Sequence, residues 1–146
     1  MALPPDDCTD CLKGVPNHEL VFGESVEYTL FLPPTQDAID GWEGSSVNWD
    51  LASGGALEEL LKRLKAKDNT IHFKAGAVRI PREKIDAIVR RYGATNFTYE
   101  LKDEDGNQYH GNLLFSVALS KTKRATLCGA LSNAVSHYHR QEDANG

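Results

Sequence analysis

No apolar run in the 146-residue sequence approaches the roughly 20 residues that a membrane-spanning helix needs. The opening residues, Met1-Ala2-Leu3-Pro4-Pro5-Asp6-Asp7, lack both the basic start and the apolar stretch of a secretory signal. Cysteine is scarce and odd in number, at three, so the expectation is a reducing, cytoplasmic setting and not a disulfide framework. Bases are outnumbered, 16 Lys+Arg against 21 Asp+Glu, for a formal net charge of −5. That balance weighs against nonspecific attraction to nucleic-acid phosphate. Familiar catalytic spacings are missing too. No serine sits in a Gly-x-Ser-x-Gly elbow, and Ser53-Gly54-Gly55 lacks the spacing of a phosphate loop. The run from Asp103 to Asn107 hints at a calcium loop, but Leu114 stands where the bidentate Glu would have to be.

What is present describes an ordinary folded domain, 40% hydrophobic and 25% charged. The stretch from Pro81 to Leu119 organises the rest. It reads as a helix (Ile85, Ile88, Val89, Tyr92) opened by Pro81 and closed by Gly93. A strand through Phe97, Tyr99 and Leu101 follows, then a hairpin turn at Asp105-Gly106 or Gly106-Asn107, and a strand through Leu113, Phe115, Val117 and Leu119. Upstream, Val26 to Leu32 has strand composition and Pro33-Pro34 ends it. Leu57, Leu60, Leu61 and Leu64 fall on one helical face, with Glu58/Lys62 and Glu59/Arg63 as solvent-side pairs. Thr70 to Phe73 and Ala77 to Ile80 read as a tight hairpin around Ala75-Gly76, and a last helix is expected from about Ala125 to Tyr138.

Short turns between paired strands favour an α+β fold: an antiparallel sheet built from hairpins, with about three helices packed on one face. The expected organisation is a flexible N-terminal segment at 1–19, a single α+β domain at 20–140 and a polar C-terminal tail at 141–146. Residues 35–55, with four glycines and both tryptophans, read as a long interior loop, which in a compact domain often carries function. Trp42 and Trp49 are its candidate partner-binding residues, since aromatic anchors dominate protein interfaces.

Cys8-Thr9-Asp10-Cys11 is the sharpest local motif, because two thiolates at this spacing reach one tetrahedral zinc. The remaining ligands would come from His137 and His139, although two residues apart on a helix they would point about 160° from each other. Zinc is the one cofactor this pattern suggests. Cys128, beside Leu127 and Leu131, reads as a buried structural thiol. Bases recur at helix ends (Lys62, Arg63, Lys65, Lys67; Arg82, Arg90, Arg91; Lys121, Lys123, Arg124) and would form an anion-binding patch only if those ends converge. The function expected is a non-enzymatic protein-binding domain of inhibitor, immunity, chaperone or adaptor type. Its partner is another protein, with edge strands offering a route to a homodimer and neither membrane nor nucleic acid expected. The alternatives are a zinc- or thiol-dependent enzyme using Cys8 and Cys11, and a nucleic-acid module on the basic helix ends.

Overall fold

The computed structural model describes residues 2–34, 38–104 and 106–141. Six strands form one sheet: β1 (Asp10–Val15), β4 (Trp42–Trp49), β5 (Gly76–Pro81), β6 (Phe97–Leu101), β7 (His110–Ser116) and β8 (His137–Arg140). Their spatial order is β6-β7-β4-β1-β5-β8 and every pairing is antiparallel. A separate two-stranded ribbon joins β2 (Val21–Phe22) to β3 (Ser25–Val26). The helices are α1 (Ala56–Lys62), α2 (Arg82–Tyr92) and α3 (Lys121–Asn133). The expected class, α+β on an antiparallel sheet, is the observed one.

Strand register sorts the side chains into two faces, because registered residues in a pleated sheet point the same way. Cys11, Ile80 and Trp49 share the core face, and so do Leu113, Ser45 and Tyr99. Onto it pack Ile85 and Ile88 of α2 and Leu127, Cys128 and Leu131 of α3, all in one buried cluster with Phe31, Phe97 and Phe115. α2 follows its sequence signals, since Pro81 leads into it and Gly93 stops it at a φ of 90°; α3 begins ahead of the expected Ala125, where the Ser120 hydroxyl caps it by accepting from the Lys123 N–H. The expected third helix on this face is instead on the other one. Ala56, Leu60 and Leu61 of α1 bury against Leu12 and Ala77 on the opposite side of the sheet, since the Leu60-Leu61 stripe needs an apolar strand surface and finds it there.

Five further expectations are corrected. Residues 1–19 are not a detached segment, because β1 occupies an inner position between β4 and β5 with six registered pairs to β5. Residues 35–55 are not a long loop, since Trp42–Trp49 is an inner strand with seven registered pairs to β7. Within Val26–Leu32 only Val26 is in a strand, and Tyr28–Phe31 forms a 3₁₀ turn that buries Leu30 and Phe31 under α3. The last helix ends at Asn133, and 137–140 returns as the edge strand β8, which buries Tyr138 and lets its hydroxyl donate to the Ala75 carbonyl at 2.5 Å. The hairpin expected between Thr70–Phe73 and Ala77–Ile80 does not form, because β5 pairs with β1 and β8 while Ile71 bridges to Leu64. The β6–β7 hairpin forms where expected, but its second strand ends at Ser116, with Val117 and Leu119 beyond it, and its turn residue Asp105 lies outside the described residues. So does the expected polar tail except Gln141, whose amide donates to the carbonyls of Leu61 and Phe73.

Candidate binding trough on the open sheet face

α1 covers only part of its face of the sheet. Farther along, register places Trp42, Gly44 and Ser46 of β4, Asn112 and Leu114 of β7 and Glu100 of β6 on that face, and they floor a trough of about 690 Å³. Its walls come from Ala2, Pro34, Ile39, Asp40, Lys102 and Glu104. The small residues at 44 and 46 keep the floor low, and Trp42 and Leu114 give it apolar ends.

A tight turn sets the rim. The backbones of Ile39 and Trp42 each donate to the other's carbonyl at 3.0 Å, with Asp40 and Gly41 at φ of 53° and 85°. Both central residues are left-handed, the geometry Asp-Gly favours in two-residue hairpins. The turn holds Trp42 half-buried and Ile39 66% exposed at the trough. Val117, itself 51% exposed, donates its N–H to the Gly41 carbonyl. Polar groups on the floor are arranged, since Asn112 Nδ2 donates to Glu100 at 2.9 Å. Glu43 is neutralised by a two-pronged contact from Arg124 at 3.0 and 3.2 Å. Asp40, Glu100 and Glu104 face a single cation, Lys102, so the lining is acidic.

Trp49 plays no part in that surface. It is wholly buried, its ring 4.9 Å from Tyr99 and its indole N–H donating to the Glu100 carbonyl at 2.9 Å. Of the two tryptophans singled out from the sequence, the fold leaves only Trp42 where a partner can touch it.

The four suggested zinc ligands are not assembled. Cys11 is on the core face with Cys8 buried near it, whereas His137 and His139 register with Arg79 and Ala77 on the opposite face. Among the described residues no group of three or more His, Cys, Asp or Glu is placed to hold a metal ion. All three thiols are free and buried. Burial pushes each of them up, Cys128 to about 12, which disfavours the thiolate that nucleophilic chemistry needs. The basic helix ends are divided as well. α1 lies on one face and α2 and α3 on the other, while Arg82 and Arg124 are engaged within the fold. Among the described residues, no helix is long and apolar enough to cross a membrane.

One polar site, at Lys13, has no signal in the sequence. β1 pairs with β4 only at Cys11–Trp49 and Leu12–Asn48, and then the two strands part. The Lys13 ammonium bridges the gap, donating to Ser46 O at 2.8 Å and Ser45 Oγ at 3.0 Å. Burial lowers its pKa to about 8, with the nearby thiols of Cys11 and Cys128 pulling the other way. An amine beside a serine hydroxyl is able to activate a nucleophile, but Ser45 has no exposed surface on which to meet a substrate.

Lys13 has a consequence for pH. Its pKa is lowered in the folded chain, so between about pH 8 and the usual lysine value of about 10.4 the unfolded chain holds a proton the folded one has lost. Its contribution to stability therefore rises with pH across that window, while the raised thiols act in the opposite direction. Urea unfolding of wild type and Lys13→Met separates the two. From pH 7 to pH 10 the difference should move toward wild type by about 1–2 kcal/mol, the full shift being reduced by partial exposure. A difference that is flat with pH contradicts this.

No protein-family model matches the chain, and no curated protein or solved structure matches it. The class that the fold defines is architectural: an α+β domain on a six-stranded antiparallel sheet, with α2 and α3 packed on one face and, among the described residues, α1 covering only part of the other.

Proposed function

We propose that the chain is a non-enzymatic protein-binding domain whose interface is the trough around Trp42, and that it receives an extended segment carrying basic residues beside a large apolar side chain. The observation that carries this reading is the coincidence, in one concave place, of half-buried Trp42 and exposed Ile39 with an acidic lining. Such a surface has apolar anchors for affinity and charge for selection and encounter rate. A volume of about 690 Å³ accommodates a few side chains of a peptide, not a folded domain.

Selection of random peptides displayed against the immobilised domain tests the proposal. Recovered sequences should pair Lys or Arg with a large apolar residue, and their binding should weaken as salt rises. Trp42→Ala should weaken binding by about 2 kcal/mol, roughly 30-fold in Kd. The thermal midpoint should hardly move, because Trp42 lies outside the buried core cluster. Binders without basic character, or binders indifferent to Trp42→Ala, would overturn the proposal.

A further inference from the structure

Ser46 and His110 meet across β4 and β7. His110 registers with Asn48, and Asn112 with Ser46, so the imidazole and the Ser46 hydroxyl leave the open face of the sheet as diagonal neighbours. The imidazole is buried, His110 being 5% exposed, whereas Ser46 is exposed and lies on the trough floor. Nδ1 stands 2.8 Å from the Lys102 carbonyl, and a carbonyl only accepts, so Nδ1 carries the proton. In the neutral ring Nε2 keeps its lone pair, and Ser46 Oγ lies 3.4 Å from it, a contact of the long kind that tightens when a reacting group arrives. The Glu104 carboxylate is 3.5 Å from Nδ1, which puts negative charge where an imidazolium would form. The Ser46 backbone is anchored as well, its carbonyl accepting from Lys13 at 2.8 Å. Unlike Ser45, Ser46 has both a base against its hydroxyl and open space in front of it. The three residues come from β4, the connection after β6 and the start of β7, so no local spacing announces them.

We propose that Ser46 is an acylation site, whose hydroxyl takes an acyl group from an uncharged carboxylic ester with His110 as general base. Oγ bonds to the ester carbonyl carbon, the bond from that carbon to the leaving oxygen breaks, and the Oγ proton passes to His110 Nε2 and on to the departing alkoxide. Glu104 is a positioning residue that holds the ring's charge during the transfer. The trough sets the class of donor. Trp42 and Leu114 offer apolar surface to an acyl chain, while Asp40, Glu100 and Glu104 against Lys102 alone repel anionic donors such as acyl phosphates. Because His110 is buried, water has little access to Nε2 once the ester has formed, and the acyl group stays on the chain. The transfer happens once per chain and needs no bound peptide.

The test is labelling of the full chain with an uncharged alkyl fluorophosphonate, which undergoes the same attack, loses fluoride and remains on the serine. Intact mass and peptide mapping read the product. One adduct per chain is expected, on Ser46 and absent from Ser46→Ala. His110→Gln should lower the limiting rate of labelling by at least about 100-fold. Should that buried replacement not fold, Glu104→Gln carries the test, since Glu104 is exposed. It should lower the limiting rate roughly fivefold while the half-saturating probe concentration stays unchanged. No adduct, an adduct that persists in Ser46→Ala, or a limiting rate unchanged in Glu104→Gln would overturn the assignment.

Discussion

Gly111→Ala should destabilise the domain by at least about 3 kcal/mol, lowering the thermal midpoint by roughly 6–12 °C. Gly111 lies on an inner strand, registered with Val47 on one side and Leu101 on the other. A Cβ there would fall well inside 3.0 Å of both the Glu100 carbonyl oxygen and Trp49 Nε1. These two atoms are hydrogen-bonded to each other at 2.9 Å and neither is the loose end of a flexible chain. Room for the methyl group requires either that the Trp49 ring leave its fully buried place, which forfeits packing worth about 3–5 kcal/mol, or that β6 part from β7. Urea unfolding monitored by fluorescence measures the loss. A cost below about 1 kcal/mol would mean that this close passage is not a constraint.

Arg82→Ala should free the segment ahead of β1. The Arg82 guanidinium donates to the carbonyls of Pro4 at 3.1 Å, Pro5 at 2.7 Å and Cys8 at 3.1 Å, while its Nε donates to the Tyr99 hydroxyl at 3.0 Å. Tyr99 in turn donates to Asp86 at 2.5 Å, so residues 4–8 are tied through one side chain to both α2 and β6. Hydrogen bonds from a charged donor contribute about 1.5–3 kcal/mol each, and losing the set should destabilise the domain by roughly 2–4 kcal/mol after screening by water. The sharper readout is chemical. Cys8 is only 1% exposed in the intact fold, and a thiol reagent should modify it at least about tenfold faster in the variant. Cys11 and Cys128 should remain slow because the core still covers them. Arg82→Lys should not restore protection, since a single ammonium cannot span three carbonyls. Equal labelling of wild type and Arg82→Ala would contradict the clamp.

The legible parts of this fold were the ones whose signals are local. α2 announced itself through Pro81, Ile85, Ile88 and Gly93, α1 through its leucines, and the β6–β7 hairpin through alternation on either side of Gly106. β1 was illegible because its partners are distant: Cys11 pairs with Trp49 and Ile80. The neighbouring prolines and glycine dominated the local composition. β4 was hidden by its own role, since a strand that floors an open trough carries Gly44 and Ser46 where a buried strand would carry branched apolar residues. β8 followed a helix so closely that Tyr138, buried by strand alternation, also fitted the helical spacing of Leu127 and Leu131. The trough draws on several segments of the chain; Trp42 stood out in the sequence as an aromatic anchor, and Asp40-Gly41, between Ile39 and Trp42, is the hairpin signal that could have placed it. The opposed positions of the cysteine and histidine pairs depend on strand register, which spacing alone does not reveal.

The most direct test of the proposed interface uses the two tryptophans as paired reporters. Each indole N–H gives its own resonance in an amide correlation spectrum; that of Trp49 is buried and bonded to Glu100, and that of Trp42 is at the trough. On titration with a peptide that pairs lysines with a large apolar residue, the Trp42 signal should shift progressively to saturation while the Trp49 signal stays nearly in place. A Trp42 signal that remains fixed while the peptide binds would contradict the account.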